Sequence, residues 1–265
     1  MLRPASFHHA GIPTDCITPL IMTQPGAELY PGISSGTGFF AKRGSQVLMF
    51  TALHCLESTN PPVSFLQSID VLTIPFRLGG HTMKSTDYVR FDNVTRLAEK
   101  DDPNIFYDIV ALRVVPQNKS NHEHLLSRSA SLPPSGLWLN RFSNLEQVQT
   151  AMDAGEPITF TVIGYPNSGA NTNVHYADGA STIPTLQTQP AKLTAHLRNS
   201  PLDNCLRLEN SSWTHGHAGF SGSPVFVQWE SENGKLSALA GMAICGSNDQ
   251  LHFINVATLV GAASE

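Results

Sequence analysis

Apolar residues in this chain come in short runs, and most runs are closed by glycine, proline or asparagine. Gly36–Ala41 and Val47–Leu53 flank Lys42-Arg43-Gly44-Ser45, which reads as a hairpin with a buried second strand. Asn233-Gly234 separates Val225–Trp229 from Leu236–Ile244 and is the strongest two-residue hairpin signal present. Twenty glycines, eighteen prolines and a charged fraction of only 14% speak against a coiled coil or helical bundle. The expectation is an all-β fold with two sets of about six short strands, a pattern suited to paired barrels. Other expected strands cover Ile69–Leu78, Tyr88–Leu97, Ile109–Val115, Ile158–Ile163, Thr185–Leu197, Leu206–Glu209 and Leu251–Val256. Residues 1–33 read as an irregular N-terminal arm and 34–125 as the first barrel. Residues 126–154 read as a linker with a short helix after Asn144 that places Leu145, Val148 and Met152 on one face. Residues 155–256 read as the second barrel and 257–265 as a C-terminal helix.

Composition narrows the partners. Net charge is −5 and the 16 basic residues are scattered, which argues against a nucleic-acid surface. No apolar run approaches the length that spans a bilayer, so no membrane association is expected. The segment Met1–Leu20 is broken by Pro13 and Pro19 and lacks the continuous apolar stretch of a secretory signal. A cytoplasmic location is expected, with secretion left open if a leader was removed. Cys16, Cys55, Cys205 and Cys245 show neither CxxC nor zinc-ligand spacing and would stay thiols in a reducing compartment.

Three stretches can carry chemistry. Thr51-Ala52-Leu53-His54-Cys55 ends a buried strand. Tyr107-Asp108-Ile109-Val110-Ala111-Leu112 puts an acid at the head of another. Gly219-Phe220-Ser221-Gly222-Ser223-Pro224 holds a serine in a glycine turn. A serine hydroxyl needs a neighbouring base to act as a nucleophile. Histidine is neutral and proton-accepting near pH 7. A buried carboxylate orients the ring and stabilises the imidazolium. Glycine at 219 and 222 lets the backbone turn tightly enough for the Gly219 and Ser221 amides to point at one spot, where a developing oxyanion would be held. The plainer readings are a core histidine at 54, a strand-start cap at Asp108 (with Asp101 and Asp102 as alternative acids) and a turn serine at 221. His122-x-His124 and His215-x-His217 read as solvated loops rather than metal ligands. No cofactor is expected.

Taken in order, the three stretches resemble the chymotrypsin/trypsin-like serine peptidases. Thr51–Cys55 is similar to that family's histidine motif, Asp108–Leu112 to its aspartate motif and Gly219–Pro224 to its serine motif. Gly36-Thr37-Gly38-Phe39-Phe40 looks like the strand before the histidine in bacterial and HtrA-like members. The resemblance implies two six-stranded antiparallel β-barrels with the active site in the cleft between them; the PDZ domain of HtrA-like members is not expected after Glu265. It implies a Ser221–His54–Asp108 triad, an oxyanion hole at Gly219 and Ser221, and a protein or peptide substrate. It also implies a primary pocket floored by His215 and walled by Ala243, Ile244, Cys245 and Gly246, with Leu251-His252-Phe253 on the far side. A histidine floor does not supply the charge that binds Lys or Arg, so a polar, acidic or small residue is expected before the cleaved bond. Phe220 stands where digestive members carry the aspartate that pairs with a cleaved N-terminus, so activation of that kind is not expected. Two alternatives remain: a catalytically inactive binding or scaffold module, and a peptidase latent until a regulatory partner orders the Gly219 loop.

Overall fold

A computed structural model describes residues 11–23, 31–57, 69–70, 72, 74, 76, 88–97, 106–133, 154–155, 158–166, 172–175, 185–188, 190–210, 213, 216–231, 234–247 and 249–264. Its first unit is a six-stranded sheet of β1 (Ile17–Thr23), β2 (Pro31–Arg43), β3 (Gln46–Thr51), β4 (Arg90–Leu97), β5 (Ile109–Val115) and β6 (Ala130–Ser131). The order is β1-β2-β3-β5-β4, and β6 adds to β2 in parallel. The second unit contains β7 (Thr159–Gly164), β10 (Ala191–Asn199), β11 (Cys205–Glu209), β12 (Pro224–Ser231), β13 (Gly234–Ser247) and β14 (Gln250–Asn255). These six close into an antiparallel barrel, β10-β11-β14-β13-β12-β7. Strands β8 (Thr172–His175) and β9 (Thr185–Thr188) form a separate pair. The expected mostly-β architecture of two six-stranded units is therefore present; the second closes into a barrel, while among the described residues the first is an open sheet whose sixth strand pairs in parallel.

Local sequence explains these strands. In β10, Leu193, Ala195 and Leu197 are buried while Lys192, Thr194 and His196 are exposed, the period-two pattern of a sheet with one dry face. Gly44 turns the β2–β3 hairpin at φ 61°, where a Cβ would be strained.

Four expectations differ. Residues 17–23, read as part of an arm, are β1: Ile17, Leu20 and Met22 are buried and the strand pairs with β2. A helix not expected from the sequence, α2 (Lys119–Arg128), spans the end of the range read as the first barrel and the start of the linker; it follows α1 (Leu53–Glu57) and precedes α3 (Val256–Ala262). Asn118 caps α2 by accepting from the Asn121 N–H. In the expected strand Ile69–Leu78, residues 69–70 are helical and Leu72 makes a single bridge to Met22. The expected strand Thr185–Leu197 is two strands in different sheets, divided at Pro190, whose ring supplies no ladder donor. The expected helix at 145–152 lies outside the described residues.

Arg128, at the end of α2, is buried. Its guanidinium donates to the carbonyls of Asp15, Phe76 and Ile17 and lies 5.0 Å over the Phe40 ring. It ties the N-terminal segment to the first unit. The two units share one apolar interior. A single cluster runs from Phe39, Phe50 and Leu112 of the first to Met242, Ile254 and Leu259 of the second. A smaller cluster with Phe160, Phe220 and Phe253 fills the closed barrel.

Candidate active site

Strand β3 ends at Thr51, and His54 follows on the first turn of α1 rather than on the strand itself. Asp108 immediately precedes β5 and is buried. Its carboxylate serves one residue twice: Oδ1 accepts from the His54 backbone N–H at 3.0 Å, and Oδ2 lies 2.6 Å from His54 Nδ1. The Asp108 carbonyl also accepts from the Leu53 N–H at 3.3 Å. The carboxylate is thus not given to the start of its own strand, the plainer reading of Asp108, but to the helix that carries the histidine. The His54 side chain is 48% exposed and that of Asp108 only 9%, so the ring is open to a ligand while the carboxylate is shielded from water. The hydrogen bond to Asp108, then contact with Cys55, outweigh burial and hold the imidazole up to about 10.

The Gly219–Pro224 turn lies against this corner. The Ser221 carbonyl accepts from the Thr37 N–H at 2.8 Å and from Cys55 Sγ at 3.6 Å. Thr37 Oγ1 donates to the Gly219 carbonyl at 2.8 Å and accepts from the Tyr165 N–H at 2.9 Å. Gly222 has φ 84°, and a Cβ there would stand 2.0 Å from the Thr37 carbonyl and 2.7 Å from Thr51 Oγ1. Only glycine permits this approach of the turn to the first unit. Phe220 is fully buried in the core of the closed barrel. An apolar plug anchors the turn at the position where an ion pair was ruled out from the sequence.

The amides of the turn alternate. Phe220 N–H donates to the His217 carbonyl, Gly222 N–H to Ala243 and Ser223 N–H to Phe220, at 3.0, 2.7 and 2.9 Å. Neither the Gly219 nor the Ser221 N–H meets an acceptor among the described residues. Peptide donors seldom go unpaired away from water, so two in one tight turn mark a place where an outside oxygen is wanted. Ser221 Oγ donates to the Ile244 carbonyl at 2.8 Å.

The expected pocket wall is beside the turn. Ala243 is bonded to it through both its N–H and its carbonyl, Ile244 receives the Ser221 hydroxyl, and Cys245 is exposed. Gly246 packs against His217, whose ring atoms would stand 2.8–2.9 Å from a Cβ at that position. His215, Asp101 and Asp102 lie outside the described residues. His122 and His124 sit two apart on α2, a spacing that points them to different faces. The four cysteines are free thiols. Among the described residues no helix is long and apolar enough to cross a membrane.

The sequence reading missed Thr37, which holds both the Gly219 and the Ser221 carbonyls in place. The signal was its setting between Gly36 and Gly38. A Cβ at 36 would stand 2.5 Å from Cys55 Sγ and one at 38 would stand 3.2 Å from Leu20, so both glycines mark close packing. It also missed Asn204, whose side chain exchanges hydrogen bonds with both backbone groups of Phe106 and so links the units beside Asp108.

No family model matches the chain, and no curated protein matches it either. Among solved structures it is similar to HL collagenase, with 13% identity and a TM-score of 0.49 over 95% of this chain and 92% of that one.

Proposed function

We propose that the chain is a serine endopeptidase acting through a covalent acyl-enzyme. In this reading Ser221 Oγ attacks a peptide carbonyl, and His54 Nε2 takes its proton and returns it to the leaving amine. Asp108 holds the ring and stabilises the imidazolium. The oxyanion is held by the Gly219 and Ser221 amides. Water then repeats the sequence on the acyl-enzyme, and no step calls for a cofactor. The observation that carries this is the pair of unpaired amides beside Ser221, in a turn hydrogen-bonded to the residue next to a carboxylate-held histidine. A fluorophosphonate probe tests it. Wild type is expected to be labelled on Ser221, and Ser221→Ala to lose both labelling and turnover. An unlabelled wild type would leave the inactive binding module as the better account.

One observation favours the latent form of the same reading. The Ser221 hydroxyl donates to Ile244 rather than to the ring, so it must rotate about its side-chain bond before His54 can take its proton. If the rotation is coupled to occupancy of the site, the rate of probe labelling rises when a peptide or partner is present. A rate indifferent to added peptide would remove the latent form and leave the constitutive one.

A further inference from the structure

Outside the triad, three neighbouring strands of the closed barrel carry a row of side chains that leads away from Ser221. Cys245 on β13 is directly opposite His252 on β14, and His252 is directly opposite Arg207 on β11. Directly opposed residues share a face of the sheet. The adjacent row on the same face, Met242, Ile254 and Cys205, is buried in the core common to both units. The Cys245–His252–Arg207 row is therefore the first that emerges from that contact. It starts one residue beyond the carbonyl that receives the Ser221 hydroxyl.

Arg207 is the unusual member. Three other arginines have carboxylates: Arg198, directly opposite Arg207 on β10, takes Glu209 at 3.1 Å, and in the first unit Arg113 takes Asp92 at 2.6 Å and Arg96 takes Glu57 at 2.8 Å. Arg207 reaches no carboxylate among the described residues. One terminal nitrogen meets the neutral Gln250 Oε1 at 3.5 Å, and its Nε is buried with no partner. Glu209, the nearest acid on its own strand, is held by Arg198 and Gln250. A guanidinium whose terminal nitrogens meet only a neutral amide is suited to a carboxylate arriving from outside. Burial, then the charge of Arg207, pushes the His252 imidazole down, so the row's positive charge near neutral pH is that of Arg207.

We propose that Arg207 selects substrates bearing an aspartate or glutamate about three residues from the bond being cut. The distance follows from the sheet. Arg207 is two strand spacings from Cys245, about 10 Å, and an extended peptide advances about 3.3 Å per residue. This rests on the peptidase reading, and Arg207 acts in it as a specificity residue remote from the reacting atoms.

The test has two arms. In the first, a peptide pool is cleaved and the cut sites are read by mass spectrometry. Acidic residues are expected to be enriched roughly fivefold or more over Gln at one position near the third from the cut. The enrichment should vanish in Arg207→Gln, turn toward Lys and Arg in Arg207→Glu, and survive in part in Arg207→Lys. A salt series on wild type supplies a readout without any variant, since the enrichment should shrink as ionic strength rises. In the second arm, fluorescein-labelled peptides of alternating Glu and Ala, or Gln and Ala, are titrated by anisotropy against wild type and Arg207→Gln. Probe labelling of Ser221 without acidic preference in either arm overturns this inference and leaves the peptidase reading standing. Failed labelling with Arg207-dependent binding of the Glu peptide overturns the peptidase reading and the cleavage preference, leaving an acidic-peptide surface.

Discussion

Thr37 reaches the Ser221 turn twice: its backbone N–H donates to the Ser221 carbonyl and its Oγ1 donates to the Gly219 carbonyl, each at 2.8 Å. The hydroxyl also accepts from the Tyr165 N–H at 2.9 Å. The Gly219 and Ser221 carbonyls share their peptide planes with the paired Phe220 and Gly222 amides, so Thr37 acts on the unpaired Gly219 and Ser221 amides through the planes next to theirs. Thr37→Val keeps the shape and removes the hydroxyl. It leaves a buried carbonyl and a buried N–H unsatisfied, at about 1–3 kcal/mol for each group. Chemical denaturation should show that loss. The rate of fluorophosphonate labelling should drop more than tenfold, because the turn would lose the anchor on its Gly219 carbonyl and only the Thr37 backbone bond to Ser221 would remain.

The His54–Asp108 contact sets a pH dependence. The bonded carboxylate raises the imidazole, so the ring keeps its proton to higher pH than an ordinary histidine. Proton abstraction needs the neutral ring, and kcat/KM should therefore rise with pH, with a midpoint above about 6.5. Asp108→Asn should lower kcat roughly 10⁴-fold and move the midpoint down. Stability has the opposite slope. A raised folded-state value contributes fully below the unfolded value near 6.5 and is lost as pH climbs to about 10. Melts of wild type and Asp108→Asn between these limits should converge as pH rises.

Gly222 combines positive φ with a backbone of the opposite unit where its Cβ would be. Gly222→Ala should cost at least about 3 kcal/mol, since neither the Thr37 carbonyl nor the Ala52 amide can move aside cheaply. Gly44→Ala is the comparison. Gly44 also has positive φ, but nothing lies within 4 Å of its Cβ, so only the backbone cost near 1 kcal/mol should appear. Equal melting temperatures for the two variants would mean that the close approach at 222 carries no weight.

Phe220 holds the turn by apolar burial. Phe220→Ala should destabilise by about 3–5 kcal/mol and slow labelling of Ser221, while Phe220→Leu should recover most of both. An apolar anchor is indifferent to screening, so labelling of wild type should change little between low and high salt.

The fold class was legible because short apolar runs and turn residues leave few alternatives. The Asn233-Gly234 signal gave the β12–β13 pairing, and Asp108, His54 and Ser221 stood in motifs whose chemistry explains itself. What the sequence hid was hidden for physical reasons. In β1, Ile17, Leu20 and Met22 are interrupted by Pro19, so no period shows until β2 supplies the partner. The α2 segment is polar enough to read as loop, and its helical character rests on an asparagine cap and the burial of Leu125 and Arg128. Arg207 and Thr37 gain meaning only from neighbours more than a hundred residues away, or from a register that no single strand reveals.

The apolar cluster that passes without a break from Phe50 to Ile254 has an evolutionary corollary. That part of the interior belongs to neither half alone. A methylene gained on one side has to be lost on the other, so drift in the front half of the gene is bound to leave matching marks in the back half. The seating of the Gly219–Pro224 turn against the His54 corner is inherited with that shared volume.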